Sequence, residues 1–349
     1  MPLRITGSVQ HYDWGDTSFL PALLGRPADG SPWAEWWLGT HHVAPSMTEG
    51  GSPLEDETGP MGMLVKVLSC AAPLSLQTHP TADQARRGFA RENAAGIAID
   101  DPRRNYRDES PKPEMLVALT EFEALCGFDD VDSTVEQLKA YRWHEEAEML
   151  DLYGIDGYML WAFDQRSAPD LGACPDWLRR IGTMHPGDRG LRVAPLLNHV
   201  HLAPGEAISL PAGNLHAYLR GTGVEVMGSS DNVVRCGLTN KHVDVNELLA
   251  TVVPEPLADP VVRATPVART AAGRLWRYVT PRAPFVLWVH QIDGTETLRA
   301  RTRELTLCGV GSTDVLQRGE VAYLAPGQEL TVRGKATLFR VTEWTDPRD

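Results

Sequence analysis

The amino-acid sequence predicts a mainly β fold, two jelly rolls with an α-helical insertion. Three observations carry that prediction. Thirty-one glycines and 26 prolines are dispersed along 349 residues, the texture of many turns between short strands. Residues 131–192 read as helix in the middle of this strand-rich chain. One turn–strand–turn sequence occurs twice, at 205–216 and at 319–330, as two related β units would produce. Domains commonly run to roughly 100–200 residues, so the expected division is 1–130 with 193–255 as one jelly roll, 131–192 as the helical insertion, and 256–349 as the second roll.

In chain order, 61–70 (MGMLVKVLSC) and 111–119 (PKPEMLVAL) are predicted strands. Between them TADQARRGFARENAAG is predicted helix, opened by a capping box of Thr81 with Gln84 and stopped at Gly96. The box satisfies free N–H groups at one end, and glycine ends the helix at the other. A second helical region is expected near Ser133, whose S-x-x-E spacing with Glu136 is another capping box. It continues through QLKAYRWHEEAEML, YMLWAFDQ and CPDWLRRI, separated by Gly and Pro breaks. From Pro195 the segments LLNHVHL, AISLPAG, HAYLRG, VEVMG and NVVRCG read as separate short strands. VNELLATV is a short helix, PEPLADP (254–260) a link, and PFVLWVHQI and ATLFRVTEW are strands of the last part.

The repeat aligns Gly205-Glu206 with Gly319-Glu320, Gly213 with Gly327, and His216 with Leu330. Its first copy fits G-x5-P-x-G-x2-H, a pattern that resembles the second motif of cupins. The second copy has leucine in the histidine's place. The expectation is therefore two cupin-type jelly rolls, only the first able to hold a metal, with the second serving a structural purpose.

Charge and cysteine usage exclude other classes. The formal net charge is −13, which turns away nucleic acid and anionic membranes as main partners but not a small anionic ligand. Five cysteines, widely spaced and without a CxxC pair, suit a reducing cytoplasm better than a disulfide framework. The start MPLRITGSVQHYDWGD lacks an apolar h-region, so no signal peptide is expected. The most apolar stretch, Met61 to Leu76, is interrupted by Lys66 and Pro73 and is too short to span a bilayer.

Three segments concentrate the chemistry. In Ser75-Leu76-Gln77-Thr78-His79-Pro80, Gln77 and His79 share a face if the chain is extended, as do Lys112 and Glu114 in Lys112-Pro113-Glu114-Met115. The third runs from His216 and Tyr218 through Glu225 to Asp231 and Arg235. An amide oxygen, two imidazoles and a carboxylate form a mixed N/O donor set suited to Zn²⁺.

These motifs, in order, resemble the class I (type I) mannose-6-phosphate isomerase family over most of the chain: QHYDWG, PWAEWWLGTHHVAPS, PLSLQTHP, KPEMLVAL, FEALCGF, LPAGNLHAYL and SSDNVVRCGLTNK. The resemblance implies one Zn²⁺ per chain held by Gln77, His79, Glu114 and His216, with Arg235 catalytic. It places Trp14, Lys66, Ser75, Lys112, Tyr218, Glu225, Asp231 and Lys241 around the substrate. The implied reaction interconverts D-mannose 6-phosphate and D-fructose 6-phosphate through a cis-enediol(ate), with Lys112 or Glu225 as the C1/C2 base and Asp231 assisting ring opening. Lys66, Ser75, Arg235 and Lys241 are the phosphate candidates. One departure is Pro111, which stands where many bacterial members have histidine, so no proton-shuttle role is carried onto it. A cytoplasmic monomer is expected.

Other readings stay open at this level. The runner-up function is a non-catalytic cupin that binds phosphorylated sugars, and a third is an Fe²⁺ cupin oxygenase. His199 and His201 form an H-x-H pair read as exposed strand residues, and His41 and His42 as a loop near the site. Lys66 has the alternative of snorkelling to solvent, Glu225 of a solvated strand position, and Arg235 of a structural ion pair. The tryptophans other than Trp14 are read as core, and Cys126 and Cys236 as small packed hydrophobes.

Overall fold

The computed structural model describes residues 2–280 and 283–344. Two antiparallel sheets dominate it, one of eleven strands and one of eight. The first runs Val261–Val262, Ala207–Leu210, Glu114–Ala118, His216–Gly228, Met63–Cys70, Glu35–Gly39, Ser8–Gln10. Leu76–Thr78, Val234–Gly237, Phe122–Phe128 and Leu197–Leu202 join it through the first half of His216–Gly228. That strand therefore belongs to both walls of the roll. HAYLRG and VEVMG, expected as two strands, are one. The chain bends at Gly221 (φ +122°) without breaking, and a Cβ there would lie 2.6 Å from the Glu121 oxygen.

Period-two alternation sorts each strand's side chains. Val65, Val67, Met115, Val117, Val224 and Val226 pack against Phe285, Leu287, Leu305, Phe339 and Val341 of the second sheet. The opposite face carries Leu68, Leu116, Ile208 and Leu210, which meet Phe122, Ala124, Cys126 and Tyr218 inside the roll. Lys66, Glu114 and Glu225 alternate with the outward valines and methionine, so they too turn inward.

The second sheet runs Thr265–Arg269, Gly273–Tyr278, Phe285–Arg299, Glu329–Glu343, Glu304–Thr313, Val321–Leu324, Leu3–Thr6, Met47–Thr48. The first strand of the chain thus pairs with Val321–Leu324. The repeat is geometrical as well as sequential: Gly205, Gly213, Gly319 and Gly327 all have φ between +81° and +90°, a region that favours glycine. Glu206 and Glu320 each accept a bond from the N–H three residues earlier, at 2.9 and 2.8 Å.

Helices cover the outer wall of the first roll. Val131–Ala140, His144–Asp164 and Asp176–Met184 bury Leu138, Trp143, Tyr158, Phe163 and Ile181 against Leu125, Leu215, Ala217 and Leu219. Gly154 (φ +64°) supplies the expected glycine break as a kink. The predicted Ser133 capping box does not form. Asp130 is the N-cap and accepts from Ser133 N at 3.0 Å, so Ser133 already lies in the first turn. The Thr81–Gln84 box does form. Ala82–Ala94 then ends as predicted: Gly96 N bonds Asn93 O and Ile97 N bonds Glu92 O, both at 3.0 Å, which is a Schellman stop. No helix among the described residues is long and apolar enough to cross a membrane.

Candidate metal centre

His79, Glu114 and His216 meet inside the first roll, their ligand atoms within 4.8 Å of one another and all three residues buried. Each comes from a different strand or strand end, which is why their sequence spacing is wide. Nε2 of His79 stands 3.3 Å from Glu114 Oε1, and Nε2 of His216 stands 3.5 Å from Oε2. Neither Nε2 has a hydrogen-bond partner. Two buried, orphaned imidazole nitrogens aimed at one carboxylate are costly unless something occupies the space between them. A cation with N/O preference, such as Zn²⁺, fits that donor set. Burial pushes His79 down to about 4 despite the opposing pull of Glu114. Burial would raise Glu114, but His79 and Lys112 outweigh it and hold the carboxylate well below its usual range.

The other ring nitrogens are held from behind. Nδ1 of His79 lies 2.8 Å from Asn232 O, and Nδ1 of His216 lies 3.1 Å from Asn214 O, so both Nε2 atoms are left as acceptors. Asn232 is itself a fully buried hub. Its Oδ1 accepts from the backbone N–H of Arg107 (2.7 Å) and Asp108 (3.2 Å), while its Nδ2 donates to the Asp108 and Ser110 carbonyls, both at 2.9 Å. Gln77 lies directly across from His216 in the ladder, and its Oε1 accepts from Ser75 Oγ at 2.8 Å.

Around this centre the structure gathers most of the residues singled out in the sequence. Lys112 Nζ stands 3.1 Å from Glu114 Oε1. Lys66 does not snorkel: it is buried, 3.4 Å from Glu35 Oε1, with its ammonium 4.7 Å from the Trp37 ring centre. Burial would lower its pKa, but Glu35, Glu225 and Glu114 outweigh that and raise it. Glu225 is likewise no solvated strand position. It lies opposite Lys66 in register and accepts from the Tyr218 hydroxyl at 2.6 Å. Burial, and then the charge of Glu114, push it up to about 8. Asp231 Oδ1 lies 3.3 Å from His41 Nε2, with His42 at 3.9 Å from Oδ2. His41 Nδ1 accepts from Val43 N, so Nε2 carries the proton and donates to Asp231. Trp14 is half-buried at the edge of the roll's interior, stacked on Tyr12 at 5.7 Å.

The cationic wall contains a residue that sequence reasoning missed. Arg235 forms no ion pair among the described residues, and nor do Lys241 and Arg107. Burial, then Arg107, lowers the pKa of Arg235; burial, then Arg235 and Arg107, lowers that of Lys241. Three like charges collected without a counter-ion suit a dianion. Arg107 sits in an irregular loop with no periodicity to mark it; its nearness to the Lys112-Pro113-Glu114 motif was the available signal. His201 is exposed as expected, but His199 is half-buried, stacked on Trp177 at 4.6 Å and 2.9 Å from Glu123 Oε1.

Residues 49–131 match the family model for phosphomannose isomerase type I, catalytic domain. Mannose-6-phosphate isomerase of Escherichia coli (strain K12) is 33% identical over 97% of this chain and 98% of that protein. The Shigella flexneri protein of the same name is 32% identical over the same shares. Among solved structures, mannose 6-phosphate isomerase from Salmonella typhimurium bound to fructose 6-phosphate and zinc matches with TM-score 0.87 at 29% identity, over 99% of this chain and 100% of that one.

Proposed function

This chain belongs to the type I phosphomannose isomerase family, and on that premise we propose that it is a zinc-dependent mannose-6-phosphate isomerase, interconverting D-mannose 6-phosphate and D-fructose 6-phosphate. The observation that carries the reading is the pair of orphaned Nε2 atoms facing Glu114, with Arg235 opposite Gln77 in register and Arg107 and Lys241 close enough to act on it. Gln77, His79, Glu114 and His216 would hold the ion. When bound, it polarises the sugar's carbonyl and hydroxyl oxygens and stabilises negative charge that develops on them.

The remaining work falls to side chains. Arg107, Arg235 and Lys241 bind the phosphate, and Arg235 is the member placed to add charge stabilisation during turnover. Lys66 and Ser75 complete the polar lining, and Trp14 with Tyr218 shapes the apolar side. Asp231, holding the proton-donating His41, assists ring opening. A proton then leaves C2 of the open aldose to give the cis-enediol(ate) and returns to C1, while the hydroxyl proton of O2 passes to O1, leaving the C2 carbonyl of the ketose. Glu225 carries the proton from C2 to C1. Burial and the charge of Glu114 push its carboxyl above the usual carboxylate range, the direction that makes a carboxylate a stronger general base. Lys112, paired with Glu114 at 3.1 Å, adds cationic stabilisation.

In this reading 1–130 with 193–255 carries the chemistry, 131–192 walls it, and 256–349 braces it from behind. The enzyme acts as a cytoplasmic monomer. The test is a coupled assay on mannose 6-phosphate with and without chelator. Turnover lost on chelation and restored by Zn²⁺ supports the reading; sugar-phosphate binding without turnover would establish the non-catalytic alternative instead.

A further inference from the structure

We propose that Glu123, His199 and His201 form an accessory site for a divalent first-row metal ion, on the outer wall of the roll and separate from the catalytic centre. His199 and His201 are two apart on Leu197–Leu202, so they share a face, and Glu123 on the neighbouring strand lies directly opposite His201. The three ligand atoms lie within 4.8 Å of one another. Two imidazoles and a carboxylate are donors that zinc, nickel and cobalt accept.

The cluster is held in shape from behind. The His199 ring stacks on Trp177 at 4.6 Å and 28°, and meets His201 edge-on at 4.6 Å. Arg180 takes Glu123 Oε2 at 2.6 Å, leaving Oε1 toward the imidazoles. At the catalytic centre a cation likewise stands beside the carboxylate, Lys112 at 3.1 Å from Glu114 Oε1, although there it shares that oxygen with His79. Glu123, His201 and Arg180 also line an open cavity of about 650 Å³, which leaves room for the water ligands that complete a three-residue site. Trp177 and Arg180 belong to the helix Asp176–Met184, so an ion here ties the helical layer to the strand pair beneath it.

The site is read by metal stoichiometry on the zinc-loaded enzyme. Wild type, titrated with Zn²⁺ and in parallel with Ni²⁺ by calorimetry and checked by elemental analysis, is expected to take a second equivalent. His199→Ala and His201→Ala should each weaken that second equivalent at least tenfold while the first stays bound and mannose 6-phosphate turnover is unchanged. The second equivalent should also raise the melting temperature of wild type and not of the variants. A wild-type enzyme that saturates at one equivalent, or a second equivalent that persists unweakened in both histidine variants, overturns the proposal.

Discussion

The backbone oxygen of Asn232 accepts a hydrogen bond from Nδ1 of His79 at 2.8 Å, while the Asn232 side chain grips the loop that carries Arg107. One buried residue thus orients a candidate metal ligand and anchors a candidate phosphate cation. Replacing Asn232 with Ala leaves the carbonyl but frees the backbone that aims it, and strands the Arg107 and Asp108 amides. Outer-shell losses of this kind cost about 10–100-fold in metal affinity. The Asn232→Ala enzyme should show that loss in chelator competition together with a raised KM. Unchanged zinc affinity would mean His79 is aimed by other contacts.

The three cations without a counter-ion predict a division of labour. Arg107→Ala should raise KM for the sugar phosphate while kcat holds, as expected of a group that in the proposed reading binds only the phosphate. Arg235→Ala should keep its zinc and lose most of kcat. Steady-state kinetics with metal analysis separates the two. An Arg235→Ala enzyme with wild-type kcat would remove Arg235 from the catalytic assignment.

Much of this centre was legible before the fold was known, for a physical reason. Lys66 and Glu225 are charged residues set between valines, and strand alternation turns them to the face opposite those valines. The motifs around His79, Glu114 and His216 marked donors, although only the fold shows them converging. What was not legible lies in irregular backbone or in partner choice. Arg107 and the Asn232 hub depend on loop contacts 125 residues apart, which no periodicity encodes. The cap at Asp130 was missed because the S-x-x-E pattern at Ser133 offered a second, equally regular start. His199 was read as exposed because the stacking Trp177 comes from the helical layer.

Acidity should act on the metal-free chain through His79. Its folded pKa is pushed down to about 4 from the ordinary 6.5, so between those values the unfolded chain binds a proton that the folded chain refuses. The stability contributed by this group is therefore greatest above pH 6.5 and falls as pH drops toward 4. The difference in urea midpoint between wild type and His79→Gln, both chelated, should follow that course. Zinc should dissociate over the same range, since ligands must be deprotonated to bind.

Glu225 should impose the opposite slope. Its carboxyl is raised to about 8 from 4.5, so above pH 4.5 the unfolded chain releases a proton that the folded chain retains. Stability contributed by this group falls from pH 4.5 up to about 8 and then levels. The difference in urea midpoint between Glu225→Gln and wild type, both metal-free, isolates this group. It should widen in favour of the variant from pH 5 to 8. The same variant should lose about 10²–10⁴-fold in kcat with zinc bound, the usual scale for removing a general base. A variant that keeps wild-type kcat would move the proton transfer to Lys112.

The second roll tests what makes the first one a metal site. Leu330 stands at the repeat position of His216. The N–H of Gly327 bonds the carbonyl of Ala300 at 2.8 Å, just as the N–H of Gly213 bonds that of His79. Two of the ligand positions are therefore occupied by Leu330 and Ala300, both buried in one apolar cluster. Restoring a single imidazole there places one donor in a cluster whose other buried hydrophobic members are aliphatic side chains and Cys308. Leu330→His should cost stability, about 1–3 kcal/mol for an unpaired buried polar group, and should leave the zinc content unchanged. Thermal denaturation with elemental analysis reads both. A gain of zinc in this variant would show that the second roll keeps a latent donor set beyond the two positions it has exchanged for aliphatic side chains.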